Sequence, residues 1–372
     1  MRSAEALTVI GAGPAGLTAA ILGCRAGRKV TVYERRRDVG GRFHGDFQGL
    51  ENWSTDRDVL DEIRALGIEP TFPAIPFRQQ VCFGPDGREH VYRSPSRPFY
   101  YLVRRGPGPD TFDSALKEQA LAAGAEIRFG ETLARPPAGS VVAWGPRRAS
   151  ALAVGYLFET DLPDGAFSAL DDRLAPQGYA YLLVQGGNAT LATCLWRDYH
   201  REAQYLERTV GFFQEKIGFA MRQARRFGSA VNYHLSPPGT SGHVVWAGEA
   251  SGVQDALWGF GIRYALLSGK LAASQTDSAS YRRQWERTIG RPLRASFVNR
   301  YLYERAGSAG YRGLLWWLSH SRNPGRLLGT LYRPAWWKRA LFPVAYRSIA
   351  RLEAGPNAQC CCAWCAEQQA LS

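Results

Sequence analysis

Apolar residues in the first 34 positions follow the order strand, helix, strand. The short apolar run from Leu7 to Ile10 meets Gly11, and the segment after it repeats apolar residues at helical spacing, with small residues in its first turn. A run rich in β-branched residues begins at Lys29 and closes on Glu34. This order predicts a βαβ unit at the start of the chain.

Helical periodicity and strand-like alternation continue along the rest of the chain. Asp110 is expected to cap one helix and Gly124 to end it. Apolar residues at helical spacing predict helices over residues 56–66, 111–123, 200–218 and 262–274. Alternating or continuous apolar runs predict strands within 70–101 and 155–193 and over 125–130, 140–145 and 244–247. This mixture predicts an α/β protein.

Composition supports a folded chain of more than one lobe. Hydrophobic residues make up 45% and charged residues 21% of the 372 positions, which is the globular average and argues against disorder or a polytopic membrane protein. No stretch of about 18 apolar residues occurs, so no membrane span is predicted. A chain of this length is expected to form two to three lobes.

Positive charge is concentrated near the C-terminus. The formal net charge is +13, and residues 301–351 hold eight Arg and one Lys against Glu304 alone. Two pairs of tryptophans, Trp316-Trp317 and Trp336-Trp337, lie among these cations, which is typical of short helices at an anionic membrane surface. The alternatives are a helical cap whose tryptophans pack on the rest of the protein, or single-stranded nucleic-acid binding. We expect no nucleic acid because no known binding fold is evident.

The seven cysteines do not form a disulfide framework. Three are isolated, and four crowd into the segment from Cys360 to Cys365. Without a secretory leader this distribution favours a reducing compartment, so we expect a cytoplasmic protein, either free or peripheral on the inner face of the membrane. The tail cluster has no partner pair at ligand spacing, so we expect a flexible tail and no metal site, with redox exchange and acylation as alternatives.

A glycine motif joins the first strand to the first helix. Gly11, Gly13 and Gly16 form a GxGxxG, and Glu34 ends the second strand. The first glycine permits the tight turn, the second lets a pyrophosphate approach the backbone, and the third allows close helix packing. The helix N-terminus offers N–H groups to the anion, and Glu34 can accept hydrogen bonds from a ribose. The motif therefore predicts dinucleotide binding.

Two further segments indicate which dinucleotide is bound. Glu34 is followed by Arg35-Arg36-Arg37 and then by Val39-Gly40-Gly41-Arg42, a run similar to that of the glutathione-reductase-like FAD superfamily. Later the chain reads VVWAGEASG from Val244, WGFGIRYA from Trp258 and LSGKLAA from Leu267. These segments resemble the geranylgeranyl reductase family and its relatives among the single-component flavin hydroxylases. The GGR at 40–42 is also similar to that of amine oxidases and carotenoid desaturases.

The resemblance implies bound FAD and a definite architecture. It implies a Rossmann-type FAD-binding domain with an inserted mixed β-sheet substrate domain and a C-terminal helical region. The FAD-binding domain would take residues 1–70, 106–150 and 236–280, the substrate domain 71–105 and 151–235, the basic, Trp-rich helices 281–355, and the Cys-rich tail 356–372.

The resemblance also assigns cofactor contacts. Glu249 would bind ribityl or ribose hydroxyls, the helix beginning near Gly261 would direct its N-terminus at the flavin, and Arg104 would line FAD ahead of the helix that starts at Phe112. The expected cofactor-binding residues are Gly11, Gly13, Pro14, Ala15, Gly16, Glu34, Arg35, Gly41, Arg42, Arg104, Gly248, Glu249, Gly259, Gly261 and Ile262.

The expected chemistry is reduction of a carbon–carbon double bond of an isoprenoid or other lipid-like substrate. Gly178–Val184 is similar to the substrate-wall motif of the reductases, and the candidate proton donors or orienting groups are His44, Tyr179 and Tyr181. Only one dinucleotide motif is present, so we expect an external donor, either NAD(P)H or a ferredoxin-like protein. The alternatives are a flavin hydroxylase, an amine oxidase or carotenoid desaturase relative, or a non-catalytic FAD-containing adaptor.

Overall fold

The structure is a computed structural model that describes residues 6–146, 149–233, 235, 240–241, 244–274 and 278–350, so the Cys360–Cys365 cluster lies outside it. The strands are β1 Ala6–Ile10, β2 Lys29–Glu34, β3 Phe47–Glu51, β4 Ile75–Phe77, β5 Gln79–Phe83, β6 Glu89–Arg93, β7 Tyr100–Arg104, β8 Glu126–Phe129, β9 Val141–Val142, β10 Ala151–Glu159, β11 Gly165–Ala169, β12 Tyr179–Gln185, β13 Asn188–Leu195, β14 Arg222–Val231, β15 Thr240–Ser241 and β16 Val244–Trp246. The helices are α1 Pro14–Arg25, α2 Val59–Ala65, α3 Phe112–Ala122, α4 Glu202–Ile217, α5 Ile262–Ala273, α6 Ser278–Trp285, α7 Arg291–His320, α8 Pro324–Tyr332 and α9 Trp336–Ala350.

A six-stranded sheet forms the centre of the dinucleotide-binding part. Its order is β15-β16-β9-β1-β2-β8, and all neighbours except β15 and β16 run parallel. β1 lies between β2 and β9, and its Leu7, Val9 and Ile10 are buried, as expected of a central strand in a parallel sheet. The predicted βαβ unit is present, with α1 connecting β1 to β2.

Glycines allow α1 and α5 to pack closely together beside this sheet. A Cβ on Gly269 of α5 would lie 2.2 Å from the Ala15 carbonyl oxygen of α1. A Cβ on Gly248, ahead of α5, would lie 2.9 Å from the Ala15 Cβ. Contacts this short exclude a side chain, so the small residues let the first turn of α1 pack against the second half of α5 and against Gly248.

A seven-stranded sheet forms the second lobe. Its order is β14-β10-β13-β12-β11-β5-β6, and all neighbours are antiparallel except the parallel pair β11 and β5. Along β12, Ala180 and Leu182 point into a core that also holds Leu206 and Phe213 of α4. Because side chains alternate along a strand, Tyr179 and Tyr181 point to the opposite face, and both line the main cavity.

The C-terminal helices close the molecule over both lobes. α7 is kinked at Gly307, whose φ is +51°. Arg300 of α7 is fully buried, and its guanidinium donates to the carbonyl oxygens of Leu257 and Gln177 and pairs with Glu304. It therefore joins the loop before α5 to the start of β12. Within the described ranges, no helix combines the length and apolar character required to cross a bilayer.

The predicted fold class is confirmed: a parallel Rossmann-like sheet, a separate mixed sheet and C-terminal helices. Most predicted elements are present with shifted ends. The cap of α3 differs from the prediction, because the Thr111 side chain accepts from the Ser114 N–H at 3.1 Å. Asp110 instead takes a positive φ of 55° in the turn before the helix, where Asp is better tolerated than most residues.

Candidate active site

One cavity of about 390 Å³ extends from the end of β1 to the C-terminal helices. One side of it, the cofactor half, is formed by the 12–15 turn, the 34–49 segment and the 248–262 segment. The other side of the cavity is called the apolar lobe here. It is lined by side chains from both sheet-containing parts of the fold and from α7 and α8. The apolar lobe is lined by Trp53, Phe99, Tyr100, Phe167, Leu170, Tyr179, Tyr181, Leu183, Trp258, Phe260, Leu314, Leu315, Leu318 and Leu328.

The three motif glycines have different surroundings. Gly11 has φ +103°, and a Cβ there would lie 2.4 Å from the Ala143 carbonyl oxygen. A Cβ on Gly16 would lie 1.9 Å from the Gly11 carbonyl oxygen, so both glycines serve packing. Gly13 lines the cavity, and a Cβ there would meet no atom of the described residues within 4 Å. The open space beside Gly13 is where a ligand can approach the backbone.

Two helices begin at the cavity without a side-chain cap. α1 follows Gly13 and α5 follows Gly261, and among the described residues neither has a side-chain hydrogen bond at its N-cap or an acidic residue in its first turn. By contrast, α2, α3 and α8 are capped by the side chains of Asp58, Thr111 and Asn323. The first N–H groups of an uncapped helix lack partners within the helix. They make the cofactor half suited to anionic or polar acceptor groups.

Glu34 lies beside the turn with its carboxylate already oriented. Its Oε2 accepts from the Ala12 N–H at 2.8 Å, and its Oε1 accepts from the Arg36 N–H at 2.9 Å. Each carboxylate oxygen retains capacity for a further hydrogen bond. The backbone therefore holds Glu34 ready to accept from vicinal hydroxyls at the cavity edge.

Arg42 and Glu249 connect the two cofactor segments. The Arg42 guanidinium contacts the Glu249 carboxylate through two bonds, of 3.0 and 3.2 Å, although 207 positions separate the residues. Both line the cavity. The sequence predicts both as cofactor-binding residues, and the structure brings them together as a bidentate pair. Glu249 is thus oriented by Arg42 at the cavity wall.

The arginine that lines the cavity ahead of α3 is Arg105, whereas Arg104 does not line it. Arg105 is 5% exposed and pairs with Asp113 through bonds of 2.8 and 2.9 Å. Its guanidinium lies over the Phe43 ring at 4.1 Å. Arg104 ends β7 and lies over the Phe47 ring at 5.2 Å. Asp113 belongs to the Phe-Asp pair that begins α3. This pair is the sequence pattern from which the pairing partner of Asp113, Arg105, could have been found.

Asp46 is an acidic residue of the cavity wall that the sequence alone does not single out. It is 3% exposed, and its Oδ1 accepts from the His44 N–H and its Oδ2 from Gln48 Nε2. Burial raises the pKa of Asp46, with these hydrogen bonds and the nearby Arg105 charge acting in the opposite direction. Burial of a carboxyl group favours its protonated form. Asp46 is therefore a group at this cavity that can hold and release a proton.

Tyr179 and Tyr181 lie side by side on the cavity wall, with ring centroids 6.1 Å apart. The Tyr179 hydroxyl donates to the Trp258 carbonyl oxygen at 2.6 Å, which ties β12 to the loop before α5. Burial raises the pKa of both tyrosines well above its usual range, and the Asp46 charge contributes at Tyr181. Both phenols therefore remain protonated at neutral pH.

Two thiols in the cavity wall are kept protonated by burial, which also raises the pKa of the tyrosines. Burial raises the pKa of Cys82 and of Cys194 to about 12, and both residues line the cavity. A thiol with so high a pKa does not form the nucleophilic thiolate at neutral pH. The apolar lobe therefore offers a substrate no thiolate nucleophile from either cysteine.

The structure brings most of the predicted site residues together around one cavity. Gly13, Pro14, Ala15, Glu34, Arg35, Gly41, Arg42, Gly248, Glu249, Gly259, Gly261, Ile262, Tyr179 and Tyr181 line it. Gly11, Gly16 and Arg104 are not among the lining residues. His44 is exposed and does not line the cavity, although its backbone N–H orients Asp46.

The cofactor half fits FAD. Gly13 leaves room for a pyrophosphate, the two uncapped helix ends supply N–H donors, Glu34 is oriented for a ribose diol, and Gly40 and Gly41 bring the chain close to the cavity. The apolar lobe lies next to this half in the same cavity. Fold and site therefore define an FAD-binding oxidoreductase.

Comparison with known proteins identifies the family that the chain resembles. Residues 9–48 match the model of the NAD(P)-binding Rossmann-like domain. A digeranylgeranylglycerophospholipid reductase of Haloferax volcanii is 26% identical over 332 residues, which is 73% of this chain and 75% of the relative.

Solved structures show the same fold. A geranylgeranyl bacteriochlorophyll reductase-like protein of Thermoplasma acidophilum superposes with a TM-score of 0.68 at 18% identity, covering 94% of this chain and 100% of the other. A flavin-dependent brominase superposes with a TM-score of 0.62 at 17% identity, covering 94% of this chain and 100% of the other. The resemblance to the geranylgeranyl reductase-like family is confirmed, and these similarities support a flavin-dependent oxidoreductase that binds FAD.

Proposed function

We propose that the protein reduces a carbon–carbon double bond of an isoprenoid or other lipid-like substrate. The observation that carries the proposal is the apolar lobe, which opens directly onto the cofactor half and extends to Leu314 and Leu328 of the C-terminal helices. A chamber lined by aliphatic and aromatic side chains matches a hydrocarbon chain better than a small polar acid. The identity to the reductase of Haloferax volcanii supports the same reaction class.

FAD would be held by Glu34, by the backbone at Gly13, Gly41 and Gly248, and by the N-terminal turns of α1 and α5. Bound in its reduced form, this group would supply a hydride, so that the double bond would gain one hydride and one proton and the flavin would be left oxidised. Tyr179, fixed by the Trp258 carbonyl oxygen, and Tyr181 form the wall against which the substrate chain lies. Their rings and the neighbouring aliphatic residues exclude water from the reacting carbons.

Asp46 is our candidate for the proton donor. Burial favours its protonated form, and it lies in the cavity wall near Tyr181. Its carboxyl group is oriented by Gln48 and by the His44 N–H. His44 and the two tyrosines are the candidates from the sequence. Of these, His44 orients Asp46 through its backbone N–H, and the Asp46 charge contributes to raising the pKa of Tyr181.

An external donor, NAD(P)H or a ferredoxin-like protein, must supply two electrons for each double bond reduced. The test is an anaerobic assay in which dithionite-reduced, FAD-loaded protein is mixed with prenyl lipids of different length. We expect the absorbance band of oxidised flavin to return, together with a product two mass units heavier than the lipid supplied. Flavin that stays reduced with every prenyl lipid and quinone would contradict the proposal.

A hydroxylase is the second candidate function, because the same sequence segments also resemble those of the flavin hydroxylases. Turnover that strictly requires oxygen and adds one oxygen atom to the product would favour it. Peroxide release or a conjugated coloured product would instead favour an amine oxidase or carotenoid desaturase. Lasting flavin binding without reduction by any donor would favour a non-catalytic adaptor.

We also propose that the enzyme works at an anionic membrane surface. Trp316, Trp317, Trp336 and Trp337 are 59%, 48%, 83% and 41% exposed, so they do not act as core residues of a helical cap. The arginines between residues 301 and 350 share this exposure. They are Arg305, Arg312, Arg322, Arg326, Arg333, Arg339 and Arg347. Exposed tryptophan among arginines is the pattern of interfacial helices.

Vesicle binding tests this membrane proposal. Replacing Arg322 and Arg339 with Ser is expected to weaken binding to phosphatidylglycerol vesicles by roughly 2 kcal/mol, or about thirtyfold, with unchanged flavin content. The matched control replaces Arg25 and Arg128, which are far from α7–α9 along the chain. Equal vesicle binding by both double variants would overturn the proposal, and tight binding to single-stranded DNA would favour the nucleic-acid alternative.

A further inference from the structure

A second cleft, of about 250 Å³, lies on the outer side of α8. It is bounded by α8 and its two flanking residues, by residues 52–56 and by residues 94–98. Its lining is polar, with hydroxyl and amide side chains from Asn52, Ser54, Ser94 and Asn323. The predicted FAD and substrate contacts do not include this cleft.

Three arginines give the cleft a positive charge. Arg97, Arg326 and Arg333 line it, and the acidic residue among its lining is Asp56. Asp56 is almost fully exposed and contacts Arg333 at 3.5 Å. An exposed pair at this separation contributes little, so an incoming anion can replace Asp56 at Arg333. The excess of two positive charges matches a phosphate monoester dianion.

Guanidinium donors in the cleft remain available to a ligand. The Arg97 Nη2 donates to the Thr55 carbonyl oxygen at 2.9 Å, but its Nη1 is buried without a hydrogen-bond partner among the described residues. The Arg326 guanidinium makes no hydrogen bond or ion pair with any residue that the structure describes. Buried donors in folded proteins normally have a partner, so this arrangement suits an acceptor that carries several oxygen atoms.

The cleft lies next to the apolar lobe. Trp53 lines both cavities. α8 packs closely over it, since a Cβ on Gly329 would lie 2.6 Å from the Trp53 carbonyl oxygen. On the inner side of the same helix, Leu328 lines the apolar lobe. One helix thus has a basic cleft on one side and the apolar chamber on the other.

We propose that this cleft binds a phosphate group through Arg97, Arg326 and Arg333. The ligand class is a phosphate monoester or diphosphate, carried either on the lipid whose hydrocarbon chain enters the apolar lobe or free in solution. The lipid source rests on the proposed function, whereas the anion site itself does not.

The direct test measures binding of inorganic pyrophosphate to the FAD-loaded full chain by calorimetry. Arg326→Gln is expected to weaken binding about tenfold, since one charge-assisted contact is lost. Arg97→Gln is expected to weaken it at least as much. Arg57→Gln changes an exposed arginine that directly follows residues 52–56 but does not line the cleft, so it is the matched control and should bind as the unaltered protein does. Flavin absorbance confirms that each variant is folded.

Two prenyl substrates of equal chain length distinguish the sources of the phosphate. If the group belongs to the substrate, Arg326→Gln lowers kcat/KM for the prenyl diphosphate about tenfold and leaves the prenyl alcohol unchanged. If a free anion occupies the cleft, Arg326→Gln changes pyrophosphate binding but affects both substrates equally. Pyrophosphate that does not bind, or that binds Arg326→Gln and Arg57→Gln equally, overturns the site. Binding that requires Arg326 in an enzyme that reduces no lipid preserves the site and refutes the proposed function.

Discussion

The two sides of the main cavity are built in different ways. The cofactor half comes from three compact segments in which backbone groups and glycines make most of the surface, as at Gly13 and around Glu34. The apolar lobe is assembled from side chains of β5, β7, β11, β12, α7 and α8, which are distant in sequence. Cofactor binding thus depends on local backbone geometry, whereas the substrate chamber depends on tertiary packing.

The largest effect is expected from adding a side chain to the cofactor turn. Gly13 has extended φ and ψ of −80° and 179°, which suit valine, and a Cβ there meets open space. Gly13→Val should therefore fold normally yet weaken FAD binding at least about a hundredfold, because the side chain occupies the approach to the backbone. Flavin absorbance after gel filtration measures the loss.

Gly16→Val is the matched contrast for that change. Its Cβ would lie 1.9 Å from the Gly11 carbonyl oxygen, so this variant is expected to lose both flavin and stability. If Gly13→Val lowers the melting temperature of the flavin-free protein as much as Gly16→Val does, then Gly13 also serves packing and the contrast between the glycines is wrong.

The next effect concerns the border between the cofactor half and the apolar lobe. Asp46→Asn should lower kcat by roughly a hundredfold, the size expected for losing a proton donor, while flavin content stays constant. Burial raises the pKa of Asp46, and a donor must be protonated, so kcat of the unaltered enzyme should fall as the pH rises through that pKa. The Asn variant should lose this pH dependence. A parallel pH profile in both enzymes would assign the proton to another group.

A smaller effect should appear in the apolar lobe alone. Leu314→Trp narrows its far end, so kcat/KM for a long prenyl chain should fall about tenfold, while a short chain reacts normally. Leu302→Trp, on the exposed side of the same helix, is the control. Equal loss with long and short chains would mean that the chain does not extend to α7.

The smallest effect on turnover is expected from Asp255→Asn. This change should instead alter how the free energy of unfolding depends on pH. This fully buried carboxylate accepts from the Leu257 and Trp258 N–H groups and the Tyr332 hydroxyl. Burial raises its pKa to about 6. Its contribution to stability is complete at pH values below the pKa of the unfolded state, near 3.8. That contribution is lost as the pH rises through about 6, which lowers the free energy of unfolding by up to roughly 3 kcal/mol. In denaturant unfolding, the free energy of unfolding of Asp255→Asn should lack this pH dependence. If the unaltered protein and the variant show the same pH dependence, the assignment to Asp255 is wrong.

The same contrast explains what the sequence alone predicts. The GxGxxG, Glu34 and the Gly248–Ile262 segment are contiguous patterns, so the cofactor half and the fold class could be predicted from them. Asp46 and Arg105 could not, because their role depends on burial and on partners that no local spacing reveals. His44 has suitable chemistry for a proton donor, yet the turn after Gly41 directs its side chain to solvent and brings Asp46 to the cavity instead.

The buried Arg300 has a consequence for the order in which the protein matures during synthesis. Every segment of the cofactor half precedes Ser274 in the chain, but the link between Leu257 and Gln177 requires the guanidinium of Arg300, and the far end of the apolar lobe requires residues up to Leu328. A nascent chain can therefore complete the cofactor half while the apolar lobe still lacks one wall. The apolar lobe can therefore close only after α8 has been synthesised.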